Sequence, residues 1–173
     1  MFATIYLPNF YLQAALRYDP QSRGKPAALI EEREKKPVII QLNAAAELAG
    51  VRKGMTPSQG LARYLQVIIK ARARSQETSM QEILLQSAFA LSPYVENAAP
   101  GIVTVEFNDP RNLTSKMGRV IEQLAKCEIA AQAGIADLPD TSFLAAHLAR
   151  PVLQIHHPKE FLAPLPIETL AIS

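Results

Sequence analysis

The first eighteen residues, MFATIYLPNFYLQAALRY, contain no carboxylate, and this constrains the fold more than any motif does. Residues 2–7 are a short, mostly apolar run, the pattern of a strand buried on both faces of a sheet. Pro8-Asn9 breaks the run, and Phe10-Tyr11-Leu12 opens a helix. A strand that turns directly into a helix sets the alternation that the rest of the chain repeats.

Asp-Pro, Ser and Gly punctuate a turn-rich connection over residues 17–26, and residues 27–30 form the next strand. Residues 31–36 read as a charged hairpin tip and 37–42 as the returning strand. Asn43 can cap an alanine-rich helix over 44–49 that Gly50 stops. Thr56 with Pro57 opens a second small helix, and residues 66–70 form another strand. Apolar spacing predicts helices over 77–91, 113–126 and 141–149. Strands fall at 102–107, 128–135 and 152–155, with a turn at 97–100. No segment repeats, so the expected fold class is α/β (α+β), a mixed sheet with flanking helices.

A chain of 173 residues with 49% hydrophobic and 20% charged residues can bury a good core and is globular. No apolar run approaches the ~20 residues that cross a bilayer, and no basic segment precedes an apolar one as in a secretory signal. A cytoplasmic protein without a membrane partner is expected. Cys127 has no second cysteine to pair with and reads as a small packed residue near a helix end. The three histidines, two of them adjacent at His156-His157, lack thiolates or spaced partners, so no metal or cofactor is expected. Phe10, Tyr11 and Tyr64 read as core rather than as stacking surfaces. Gly50 and Gly54 read as a helix stop and a turn.

The net charge of +2 conceals an asymmetry. Residues 21–74 hold eleven Lys and Arg against four Glu, whereas the remainder holds seven against twelve acids. A basic lobe joined to an acidic one suits contact with phosphates through one lobe. Arg52, Lys53, Lys70, Arg72 and Arg74 are the candidate DNA-binding residues, and the alternating KARAR pattern suits backbone contact better than base readout.

Several segments resemble the Y-family DNA polymerases, in the right order. They are RGKPAALI after the first helix, NAAAELAGVRKGM at 43–55, and Tyr94-Val95-Glu96 with the strand over 102–107. AGIADLPDTSFLAAHLARP at 133–151 and FLAPLPIETL at 161–170 complete the set. The resemblance implies a palm over 1–20 and 75–166, a small fingers subdomain over 21–74, and the start of a thumb at 167–173. The sequence stops there, as expected of a piece of a longer protein.

The same resemblance places the family's metal-binding carboxylates at Leu7, Gly101 and Ile102. It places the family's triphosphate contacts at Ala44, Glu47 and about Pro139. Paired magnesium ions need hard oxygen ligands, and none of these residues supplies one in the family's manner, so no catalytic, nucleotide-binding or metal residue is expected. LPNFYLQAAL and GIADLPDTSFLAAHLA look like the ImuB-type branch of bacterial mutagenesis cassettes. That branch implies a non-catalytic accessory role in SOS-type, damage-induced translesion synthesis at the nucleoid, with weak, non-specific DNA contact. In a full-length protein it implies a sliding clamp, an error-prone replicative-type polymerase and a RecA-like protein as partners. Two other readings stay open: an active polymerase using relocated acids such as Glu106 and Asp109, and a protein-interaction module with no DNA role.

Overall fold

The computed structural model describes residues 1–22, 24–31, 36–167 and 169. Residues 32–35 of the expected hairpin tip, and 168 and 170–173 of the expected thumb segment, lie outside the described residues. Along the chain run β1 (Phe2–Tyr6), α1 (Phe10–Leu16), β2 (Ala27–Ile30), β3 (Ile39–Leu42), α2 (Ala44–Leu48), α3 (Pro57–Arg63) and β4 (Ile68–Ala71). Then follow α4 (Arg74–Phe89), β5 (Val95–Ala99), β6 (Ile102–Glu106), α5 (Leu113–Lys126), β7 (Gln132–Ala136), α6 (Pro139–Leu148), β8 (Val152–Gln154) and α7 (Pro158–Leu162). They form two compact units, Met1–Pro8 with Gln81–Ser173, and Asn9–Met80. No described helix is long and apolar enough to cross a membrane.

In the first unit a five-stranded mixed sheet runs in the order β5-β6-β1-β7-β8. The carboxylate-free strand β1 is its centre, antiparallel to both β6 and β7. Its Ala3, Thr4 and Ile5 are fully buried, as a central strand covered on both faces requires. Alternation divides the residues between the faces. Thr4, Thr104 and Gly134 share one face, and α6 lies on it. Thr4 Oγ1 is 2.7 Å from Ser142 Oγ and 3.1 Å from Thr104 Oγ1, and Ser142 Oγ donates to Pro139 O at 2.7 Å. These buried hydroxyls satisfy one another, which removes the penalty of placing them in a core. Ala3, Ile5, Val103, Val105, Ala133 and Ile135 point to the other face and are fully buried. There α5 packs against β7 and β8 with Leu113, Met117 and Leu124 turned inward.

In the second unit β3-β2-β4 form a small sheet, with β2 antiparallel to β3 and parallel to β4. Ala28, Ile39, Leu42, Ala46, Val51 and Val67 make a core on one face. Ala27 and Leu29 pack against Leu12 of α1 on the other, so β2 is apolar throughout. Asn43 caps α2 as its position suggests: Oδ1 accepts from Ala46 N at 2.9 Å and from Ala27 N at 3.0 Å. Thr56 and Gln59 form a capping box on α3, with Pro57 in its first turn. Asn9, in a left-handed conformation, makes no side-chain cap for α1; the amide N–H of Leu12 donates to Gln41 Oε1 instead.

Several expected boundaries shift for local reasons. Glu128 has φ 63°, and Ile129 N donates to Leu124 O at 2.9 Å, so residues 128–129 finish α5 in a Schellman-type end. The strand expected from 128 therefore begins at Gln132. Cys127 is exposed at that helix end rather than packed. β5 runs to Ala99, so the turn is Pro100-Gly101 and not 97–100, with Gly101 at φ 76° as a type II turn requires. Helix α4 begins at Arg74 and α6 at Pro139, each a few residues before its apolar period starts.

Candidate functional site

Leu7 lies far in the sequence from the consecutive pair Gly101-Ile102, and the sheet of the first unit brings them to one end. Tyr6 pairs with Ile102 at the last rung of the β1–β6 ladder, and Leu7 N donates to Gly101 O at 2.8 Å. The Gly101 amide donates in turn to Gln81 Oε1 at 2.7 Å, and Gln81 Nε2 donates to Asn97 Oδ1 at 2.7 Å. Leu7 is fully buried. These three positions offer an isobutyl group, a hydrogen and a sec-butyl group, with no side-chain oxygen. A divalent ion pair requires carboxylate or other hard oxygen ligands, and this donor set does not fit one.

Glu106 and Asp109, the acids the sequence offers as relocated ligands, stand elsewhere. Glu106 pairs with Phe2 at the opposite end of the ladder, four residues and about 13 Å along the strand from Ile102. Glu96 and Glu106 line a shallow cleft with Phe2, Tyr94 and Thr104. Asp109 forms a two-oxygen hydrogen-bonded pair with Arg111, whose guanidinium lowers the Asp109 carboxyl to about 2. Among the described residues, no group of three or more His, Cys, Asp or Glu is placed to hold a metal.

An aromatic stack that sequence reasoning missed sits beside Ile102. Tyr6 lies against His147 of α6 with ring centroids 4.0 Å apart, and Phe143 lies 4.5 Å from the same imidazole. His147 Nδ1 is 2.9 Å from Phe143 O. Burial pushes the His147 imidazole below its ordinary pKa and the Tyr6 phenol above its own, so both favour the neutral form. The only signal in the sequence was a tyrosine on the same strand face as Thr4. Pro139 begins α6, with exposed Asp137 and Asp140 on either side. Ala44 and Glu47 are exposed on α2 of the second unit. None of these positions presents a cation to a triphosphate.

The five basic candidates belong to the second unit and have different surroundings. Arg72 is held on every side. Its guanidinium lies 3.9 Å from the Tyr11 ring centroid, donates twice to Glu77 at 2.6 and 2.9 Å, and reaches Glu31 at 3.1 Å. Hydrogen bonding to Glu77 is the main reason its pKa rises above the ordinary arginine value. Arg74 shares Glu31 at 3.3 Å, and Lys70 pairs with Asp19 at 2.9 Å. Arg52 donates to the carbonyls of Glu47 and Val51 at 2.5 and 2.8 Å. Arg52 and Lys53 also line an open trough of about 630 Å³ together with Gly54, Met55, Gln59, Ala62 and Arg63.

The Arg72 arrangement has a measurable consequence. Arg72→Met leaves Glu77, only 7% exposed, without its partner, and should lower stability by about 3 kcal/mol in urea denaturation. Arg74→Gln breaks an exposed pair and should cost less than about 1 kcal/mol. Equal losses would show that Arg72 does not hold the unit together.

Known proteins share both the sequence pattern and the geometry. The family model for the impB/mucB/samB family matches residues 5–147, most of the chain and both units. The chain belongs to that family. Its fold is that of the Y-family DNA polymerases. It superimposes on the insertion ternary complex of Dbh DNA polymerase with a TM-score of 0.85 at 17% identity, over 97% of this chain and 53% of that one. DinB from Sulfolobus solfataricus matches with a TM-score of 0.81 at 16% identity, over 97% and 52%. A Y-family DNA polymerase chimera built on Dbh gives 0.83 at 17%, over 97% and 53%. The chain thus spans about half the length of these solved structures. No curated protein sequence matches it.

Proposed function

We propose that this family member is a non-catalytic accessory protein of damage-induced mutagenesis and translesion synthesis, of the ImuB type, in which the polymerase fold serves as a scaffold for DNA and protein contacts. In this reading residues 1–20 and 75–166 act as the palm and residues 21–74 as the fingers. The observation that carries this reading is the junction of Leu7, Gly101 and Ile102, where a buried leucine, a turn glycine and an isoleucine occupy the end of the sheet. Phosphoryl transfer by this fold depends on positioning and on metal-borne charge, with little covalent chemistry for the protein to perform. A scaffold that keeps the shape without the oxygen ligands retains binding and loses transfer.

DNA contact runs through cations of the basic second unit. In the whole protein the partners are a sliding clamp, an error-prone replicative-type polymerase and a RecA-like protein, acting at the nucleoid. Primer extension tests the reading. The purified chain, given a primed template, all four deoxynucleoside triphosphates and either Mg²⁺ or Mn²⁺, should extend no primer. Template-directed incorporation with either ion, lost on Glu106→Gln or Asp109→Asn, would establish the relocated-acid polymerase instead.

A further inference from the structure

We propose that the trough formed by Arg52, Lys53, Gln59 and Arg63 binds the phosphodiester backbone of a nucleic-acid strand, and that the Lys70–Arg72–Arg74 run does not, although its charges are denser in the sequence. The inference rests on the DNA-contact reading above and assigns it to one surface. It also adds two residues, Gln59 and Arg63, that no sequence motif singled out.

Where each positive charge is spent separates the two surfaces. Lys70, Arg72 and Arg74 each face a carboxylate within 3.3 Å: Asp19, Glu77 with Glu31, and Glu31 respectively. A phosphate approaching them must displace an acid already in place, so little net charge is gained and few counterions are released from the nucleic acid. The trough differs. Among the described residues its lining contains three cations and no carboxylate. Arg52 is fixed there by its two carbonyl acceptors, whose partial negative charge does not cancel the guanidinium. Gln59 commits Oε1 to the cap of α3, which leaves its amide N–H groups as donors. Lys53 and Arg63 are exposed and complete the cationic rim, while Met55 and Ala62 add apolar surface.

The shape chooses between two sources of phosphate. A free nucleotide binds where most of its surface can be enclosed. The trough is open, its cations are exposed, and among the described residues no aromatic ring lines it to stack a base. Those properties suit a strand passing over it, held by its backbone without regard to sequence.

Fluorescence anisotropy with a labelled single-stranded oligonucleotide and the full chain tests this at low and high salt, about 50 and 200 mM. Lys53→Glu with Arg63→Glu should weaken binding about tenfold or more at low salt and lower the salt slope by about 1.4, two phosphate contacts at ~0.7 each. Lys53→Gln with Arg63→Gln should fall between that variant and wild type. Arg74→Gln should bind as wild type does. A thermal melt of each variant separates lost binding from lost folding. Three results would overturn the assignment: wild-type affinity in the double charge reversal, an Arg74→Gln loss as large as that of the reversal, or displacement of the strand by an equal concentration of deoxynucleoside triphosphate. A wild-type chain that binds no strand at all defeats the DNA-contact reading itself, a separate outcome.

Discussion

Gly134→Ala should cost more than about 3 kcal/mol, a large fraction of the 5–15 kcal/mol typical of a folded domain. Gly134 lies on β7 opposite Thr4, facing α6. A β-carbon there would stand 2.2 Å from both the Ala146 amide nitrogen and the Ser142 carbonyl oxygen, and 2.7 Å from the Ala145 carbonyl carbon. All three are backbone atoms of one helix, so no side-chain rotation relieves the clash and α6 must move as a body. That movement takes Ser142 away from Thr4 and His147 away from Tyr6, stranding buried hydroxyls that now satisfy each other. Gly118 is the internal control. It lies half-buried within α5, where an added β-carbon would meet nothing within 4 Å, so Gly118→Ala should add up to about 1 kcal/mol through helix propensity. Chemical denaturation of the two alanine variants reads both effects. Equal stability of Gly134→Ala and wild type would mean that the sheet and α6 are not in the contact described.

Much of this fold was legible in the sequence because local signals and tertiary demands agree. Helix α5 has both ends where its apolar period puts them, since Leu113, Met117, Val120, Ile121 and Leu124 fall on one buried stripe. Asn43 and Thr56 act as caps because short polar side chains satisfy amides that nothing else reaches. The left-handed turn at Glu128 was not legible. Its alanine-rich surroundings fit a strand or a helix end equally well, and a glutamate at positive φ has no sequence signature. The neutralisation of Arg72 was hidden for another reason. Glu31 precedes it by 41 residues, and only the parallel pairing of β2 with β4 brings the two together. Composition counts charges, whereas the sheet decides which of them face one another. The candidate site shows the same division: sequence could mark positions 7, 101 and 102, but their meeting at one end of a sheet is a property of the β1–β6 register.

Placing an acid at the first of those positions should fail on folding grounds before any question of chemistry arises. Leu7 is fully buried. Leu7→Asp removes its packing, worth about 3–5 kcal/mol where a cavity remains, and adds a carboxyl that must be desolvated. The expected loss is about 4 kcal/mol or more. It should also depend on pH in a defined direction. Burial raises the folded-state pKa of the new aspartate above its unfolded value near ~3.9. The penalty relative to wild type is then smallest below that value, where both states are neutral, and grows as pH rises toward the folded-state pKa. Leu7→Met, which conserves volume, should cost less than about 1.5 kcal/mol at any pH. Urea denaturation at acid and neutral pH distinguishes these outcomes, and a Leu7→Asp chain as stable as wild type at neutral pH would show that position 7 is open to water. The three positions are therefore unequal. Gly101 sits at φ 76°, a conformation aspartate tolerates better than most residues, and Ile102 is only half-buried. An acid at the half-buried Ile102 should disrupt the sheet less than one at the fully buried Leu7, so of these two positions the leucine is the harder to convert to an oxygen ligand.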